Sequence, residues 1–201
     1  MINPCRPIPP EASAVHHIVD DDVTECPTFD RFMQTIGLPD ADYYCAHNSR
    51  FDAGFLPPTL GPWIDTYRSA IRLVADAPRY SNQVLRYNLG LKVDRELPVH
   101  RVRGDVETTA ALLCYLVEYA RACLARGGEI GGVTDLAALA MLAEHATAPA
   151  LLRVVGFGKH AGQKWSEVPR DYLRWILSQP QDAFDEDVRF TAERCYNCAV
   201  Q

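Results

Sequence analysis

The segment from Asp105 to Gly128 constrains the fold most. Starting from Val106, side chains suited to burial recur at Thr109/Ala110, Leu113, Leu116, Ala120 and Cys123/Leu124, a spacing that keeps returning to one side of a 3.6-residue turn. Asp105 stands at its start and Gly127-Gly128 at its end, so the spacing predicts a core-facing helix of about six turns. Such a helix must bury its stripe against other elements, and the flanking segments supply them. Asp42 to His47 (DYYCAH) is aromatic and β-prone and predicts a strand; Phe51, Phe55 and Leu56 then share a helical face. Trp63 to Thr66 predicts a second strand and Tyr67 to Val74 a helix, with Pro78 interrupting. Ser81 can cap a helix carrying Val84, Leu85 and Asn88 that ends at Gly90. This alternation of strands and helices predicts an α/β domain.

Beyond the long helix, Thr134 caps an Ala/Leu helix (DLAALAMLAEHA) that Pro149 stops. A strand-like LLRVVGF, a tight GKHAGQ turn and a helix started through Pro169 follow. Composition shifts near Pro149, which places a boundary between residues 1–148 and a small C-terminal module, residues 149–201. There is no internal repeat. At the other end, the prolines Pro4, Pro7, Pro9 and Pro10 extend the chain before a short helix from Pro10 onward.

Composition excludes several classes. With 201 residues, 48% hydrophobic and 23% charged, the chain has ordinary globular values, so disorder, collagen and coiled coil are excluded. Its 20 Lys and Arg against 26 Asp and Glu give a charge of -6, which argues against holding nucleic acid or anionic membrane by bulk charge and leaves room for a local basic groove. No run of about 18 apolar residues occurs, and the proline-rich opening lacks the apolar stretch of a secretory signal, so a cytoplasmic protein with no membrane partner is expected. The odd number of cysteines, seven from Cys5 to Cys198, fits reduced thiols.

Two constellations carry candidate chemistry. One is His47-Asn48 followed by Phe51-Asp52 and Phe55-Leu56; the other is His100 four residues ahead of Gly104-Asp105 at the mouth of the long helix. Hydrolysis of phosphodiesters uses two divalent ions held mainly by carboxylates, with a base that activates water. Asp52 and Asp105 suit the ligand role, and His100, an imidazole titrating near neutral pH, suits the base. Taken singly, each has an ordinary reading: Asp105 as a helix N-cap, His100 as a loop residue.

Together, in this order, the two motifs resemble the DEDDh group of DnaQ-like 3'-5' exonucleases, over most of the chain. AHNSRFDAGFL resembles the second exonuclease motif, which implies Asp52 as a metal ligand with Phe51 packed behind it. HRVRGD resembles the third, which implies His100 as general base and Asp105 as a further ligand. PIPPEASAVHHIVDDDV resembles the segment before the second motif, with His17 where glycine is usual, and YSNQVLRYNLGL the helix between the motifs. FGKHAGQKWSEVPRDYLRWIL, residues 157–177, is similar to the tail module of the exodeoxyribonuclease X subfamily. The resemblance implies a ribonuclease H-like exonuclease fold, Mg²⁺ or Mn²⁺ as cofactor, and DNA 3' ends, single- or double-stranded, as substrate; it names no protein partner.

One departure stands out. The group's first motif, an Asp-x-Glu on the opening strand, has no counterpart, and roughly thirty to forty residues of the fold are expected to be missing ahead of Met1. Asp105-Val106-Glu107 has the motif's letters but opens the long helix, and Asp94-Arg95-Glu96 reads as loop. Asp20, Asp21, Asp22 and Glu25 read as solvated loop or cap residues rather than substitute ligands. The expectation is therefore a partial exonuclease domain, inactive by itself, through a misplaced start or as a fragment. The alternative is a non-catalytic nucleic-acid- or protein-binding remnant; a thiol or zinc regulator built on Cys195 and Cys198 is a third reading.

In the tail, residues 151–178 hold Arg153, Lys159, Lys164, Arg170 and Arg174 against Glu167 and Asp171, a local excess of three positive charges. Beside Trp165, Tyr172 and Trp175, Lys159 and Lys164 are candidate contacts to a DNA strand; the same rings also read as a small packed core.

Overall fold

The computed structural model describes residues 1–93, 102–126 and 130–198. In chain order its elements are α1 (Pro10–His16), α2 (Asp20–Val23), α3 (Phe29–Thr35), β1 (Tyr44–Ala46), α4 (Ser49–Ala53), β2 (Trp63–Asp65), α5 (Thr66–Leu73), α6 (Asn82–Asn88), α7 (Val102–Ala125), α8 (Asp135–Thr147), α9 (Arg170–Ser178) and α10 (Glu186–Cys198). The class is α/β with helices dominant. β1 and β2 pair in parallel, Tyr44 opposite Trp63, Cys45 opposite Ile64 and Ala46 opposite Asp65. A parallel pair requires a crossover, and α4 with its following loop provides it. Among the described residues, the other edge of β1 is unpaired.

Local signals placed most helix starts. Pro10 sits at the first turn of α1, and the Thr134 hydroxyl accepts the Ala137 N–H at the start of α8. The long helix differs in register. α7 begins at Val102, so Asp105 lies inside its first turn and is not its N-cap. Its buried stripe is Thr108, Leu112, Leu116 and Ala120, offset from the expected one except at Leu116 and Ala120. Thr108 can occupy it because its hydroxyl donates to the Gly104 carbonyl at 2.8 Å, leaving no unpaired donor in the core. The expected strand LLRVVGF is not one: only an antiparallel bridge, Val154 to Lys164, forms there. The cysteine-bearing end is not frayed at Cys195, since α10 spans it and buries Val188, Thr191 and Ala192.

Two apolar clusters result. Ile64, Leu85, Leu112, Leu116 and Leu142 anchor the first, between β2 and helices α5 to α8; Trp165, Leu173, Ile176 and Val188 anchor the second, beneath α9 and α10. Each such side chain stabilises by about 1.5 to 3 kcal/mol when fully buried. Between them lies a buried ion cluster. Arg68 of α5, 3% exposed, reaches Asp187 of α10, 7% exposed, through Nη2 at 2.8 Å and Nε at 3.2 Å. The same guanidinium donates to Glu186 at 2.8 Å and to the Ala146 carbonyl at 3.1 Å. Asp187 also accepts the Ala150 N–H at 2.7 Å. Arg72, one turn on, donates to the carbonyls of His145, Ala148 and Pro149, fixing the connection between the clusters.

His145 makes this region acid-sensitive. Burial first, then the Arg72 charge, lower its pKa from 6.5 to about 4. The unfolded chain therefore takes up a proton near pH 6 that the folded chain refuses, so stability is intact above about 6.5 and falls as pH drops towards 4. Allowing for partial exposure, the loss is about 2 kcal/mol. Melting temperatures measured between pH 7 and 4.5 should fall less steeply for His145→Gln than for the parent.

Candidate active site

The site grows from the end of β2. Asp65 caps α5 by accepting the Arg68 N–H at 3.1 Å, and the same carboxylate accepts the N–H groups of Asn48 and Ser49 at 3.2 and 3.0 Å. The Ser49 hydroxyl adds a bond at 3.2 Å. Asn48 takes a left-handed conformation, φ 72°, that turns the chain from β1 into α4. These bonds fix the single turn that carries Asp52. Arg50 of the same turn pairs with Glu186 of α10, so α4 is held from both sides.

Asp52 and Asp105 line one cavity of about 440 Å³, with Cys45, His47, Asn82 and Val106 among its walls. The two segments that resemble the second and third motifs, far apart in the chain, thus meet at one cavity; His100 lies outside the described residues. Partial desolvation against the cavity wall, and then the Asp65 charge, push the Asp52 carboxyl above its ordinary value, although the residue stays exposed at its outer edge. Asn82 donates to Thr109 Oγ1 at 3.0 Å while its Oδ1 is buried without a partner. Cys45 is chemically quiet: burial and then Asp65 raise its thiol to about 12.

His47 also faces the cavity, but both ring nitrogens are engaged. Nε2 donates to the Tyr80 carbonyl at 2.8 Å, which leaves Nδ1, in the neutral ring, to accept from Thr66 Oγ1 at 3.0 Å. Burial holds its pKa below 6.5, against the opposing pulls of the Tyr80 carbonyl and Asp65. This ring ties β1 to the segment before α6 and has no free nitrogen for water. Asp65, Arg68 and Asp187 were missed as site-building residues by sequence reasoning; a Trp-Ile-Asp strand running straight into a helix was the only signal, for Asp65 alone.

Phe51 does not pack behind Asp52. It is 67% exposed and lies edge-on to Phe55, ring centres 5.2 Å apart. Within the acidic run Asp22 caps α2 by accepting the Val19 N–H, and Asp20 accepts the Ile8 N–H from the segment ahead of α1. Among the described residues no three His, Cys, Asp or Glu side chains converge as a metal cluster, Cys195 and Cys198 included. Lys159 and Lys164 are exposed in the tail, Lys159 with its Nζ 5.3 Å from the Tyr172 ring centre. Of the tail aromatics Trp165 is core, 2% exposed, while Trp175 is 47% exposed.

Within the described residues no helix is long and apolar enough to cross a membrane. No family model matches the chain. Exodeoxyribonuclease 10 of Escherichia coli strain K12 is 31% identical over 196 residues, 95% of this chain and 80% of the relative. The same enzyme of a second Escherichia coli strain matches equally. Among solved structures, exonuclease X in complex with 5' overhanging duplex DNA superposes with a TM-score of 0.55 at 30% identity, covering 73% of this chain and 78% of that one. The likeness agrees with the paired motifs around the cavity and supports a ribonuclease H-like exonuclease fold. By this shared sequence and shape, the chain belongs to the exodeoxyribonuclease 10, or exonuclease X, family of DnaQ-like exonucleases.

Proposed function

We propose that the protein works as a 3'-5' exodeoxyribonuclease, releasing nucleotides from DNA 3' ends by metal-assisted hydrolysis. The observation that carries this reading is the convergence of Asp52 and Asp105 on one cavity, in a chain related to a nuclease whose solved structure is bound to DNA. The donor set fits Mg²⁺ or Mn²⁺ in kind: two carboxylates and the unpartnered Asn82 Oδ1, all hard oxygens. Such an ion, when bound, acidifies water and stabilises the leaving oxygen. Asp52 and Asp105 would hold it, and His100 would take the proton of the attacking water, leaving His47 to position β1. Lys159 and Lys164 would contact the DNA strand from the C-terminal module, residues 149–201.

Among the described residues Asp52 and Asp105 are the carboxylates that line the cavity, and we propose that a further strand bearing Asp-x-Glu completes the set. Two features support this: the free edge of β1 and the side of α7 next to it, where Val106, Thr109, Ala110 and Leu113 line the cavity. Residues 1–201 alone should therefore release little or no nucleotide from a labelled 3' end. A protein extended upstream with such a strand should do so in Mg²⁺ or Mn²⁺. Strong activity from residues 1–201 would refute the need for the strand, and inactivity of the extended protein would favour a binding remnant. In the extended protein His100→Ala should lose rate on the order of 10²-fold in the chemical step with Mn²⁺ affinity kept. Equal loss of Mn²⁺ affinity would make His100 a ligand instead.

A further inference from the structure

The tail module presents a supported aromatic surface. From the buried Trp165 a chain of rings runs outward through Phe157 and Phe184 to Trp175 and Tyr172, with neighbouring centres 5.1 to 6.3 Å apart. Tyr172 is wedged in place: His160 lies 4.4 Å from it, and a Cβ on Gly158, whose φ is +63°, would meet its hydroxyl at 2.8 Å. Trp175 stacks on this fixed ring at 5.2 Å and 22°, and 47% of it remains open to solvent. The core face of α9 is Leu173 and Ile176 with Tyr172 packed partly buried against the same cluster, whereas Trp175 lies outside it.

The cations of the module differ in their partners. Arg170 lies over Tyr196, and Arg174 pairs with Asp171 at 3.8 Å, both engaged with their own helices or α10. Among the described residues no ion pair engages Arg153, Lys159 or Lys164. Lys159 and Lys164 stand at the two ends of one loop, folded tight by the Gln163 N–H donating to the His160 carbonyl and by His160 Nδ1 against Gln163 Oε1 at 2.7 Å. A supported π-face with Lys159 over the Tyr172 ring that backs it and an exposed Lys164 on the same loop, in a protein of net charge -6, matches a polymer that alternates bases with phosphates.

We propose that the open face of Trp175, backed by Tyr172, stacks an unpaired base of single-stranded DNA whose phosphates Lys159 and Lys164 hold. The inference rests on the nuclease reading for the identity of the polymer and deepens it by assigning the base contact to Trp175.

The test measures binding of the whole chain, in chelator, to a labelled oligothymidylate and to an abasic strand of equal length and charge. The parent should prefer the oligothymidylate by about 5- to 100-fold. Trp175→Leu, which keeps an apolar side chain without a π-face, should lose that preference with abasic binding unchanged, and Trp175→Tyr should keep most of it. Lys159→Ala with Lys164→Ala should weaken both strands alike and reduce the slope of log affinity against log salt by about 1.4, two phosphate contacts at roughly 0.7 each. Equal binding of both strands by the parent, or an undiminished preference in Trp175→Leu, overturns the proposal and leaves the surface to a protein partner. Chelated binding needs none of Asp52, Asp105 or His100, so a failed nuclease assay with a Trp175-dependent preference refutes only the catalytic reading.

Discussion

Asp187→Ala should destabilise the protein by about 3 to 5 kcal/mol, enough to unfold much of a domain of ordinary stability at 25 °C. The carboxylate sits between Arg68 and the Ala150 N–H, and burial pushes its pKa up against the pull of both. The pair is thus already strained by desolvation, and removing Asp187 leaves the buried guanidinium only the half-exposed Glu186 as a charge partner and the buried Ala150 N–H without its acceptor. Urea unfolding followed by far-UV circular dichroism would measure the loss. The double change Arg68→Met with Asp187→Leu should restore a large part of it, because two apolar side chains leave no orphaned charge. If Asp187→Ala is as stable as the parent, the ion cluster is solvated in solution and does not join the two apolar clusters.

The second large effect is catalytic. In a protein that carries an Asp-x-Glu strand upstream, Asp105→Asn and Asp52→Asn should each lower the hydrolysis rate on the order of 10³-fold, the scale of several kcal/mol that a divalent ion contributes to charge stabilisation. Asparagine keeps the shape of the side chain and one oxygen, so melting temperatures should stay within about 0.5 kcal/mol of the parent's equivalent. Because partial desolvation raises the Asp52 carboxyl, and an ion binds only the ionised form, Mn²⁺ affinity should fall on acidification sooner than for an ordinary aspartate. Quantitative 3'-end release at several Mn²⁺ concentrations and pH values reads both effects.

Legibility in the sequence followed the range of the interaction. Helix starts at Pro10 and Thr134 were readable because a cap is settled within a few residues. Asp52 and Asp105 were singled out through resemblance, and in the structure both line one cavity. The stripe of α7 was misjudged where a threonine bonded to its own helix can be buried and an alanine left exposed, which hydrophobicity does not encode. Trp165 and Trp175 are equivalent as letters; only packing makes one core and the other surface. Arg68 and Asp187 lie too far apart in the chain for any local pattern to connect them.

Asp65 gives the molecule an uneven tolerance to change. One carboxylate starts α5, whose Arg68 clasps α10, and also seats α4, whose Asp52 faces the cavity. A glutamate there would overshoot both backbones, and an asparagine would offer one oxygen where two are used. Variation introduced at random would therefore find most surface positions forgiving, while this one buried side chain couples heritable loss of folding to loss of function. An engineer seeking new activity from the scaffold should vary the cavity from the α7 side and hold Asp65 constant.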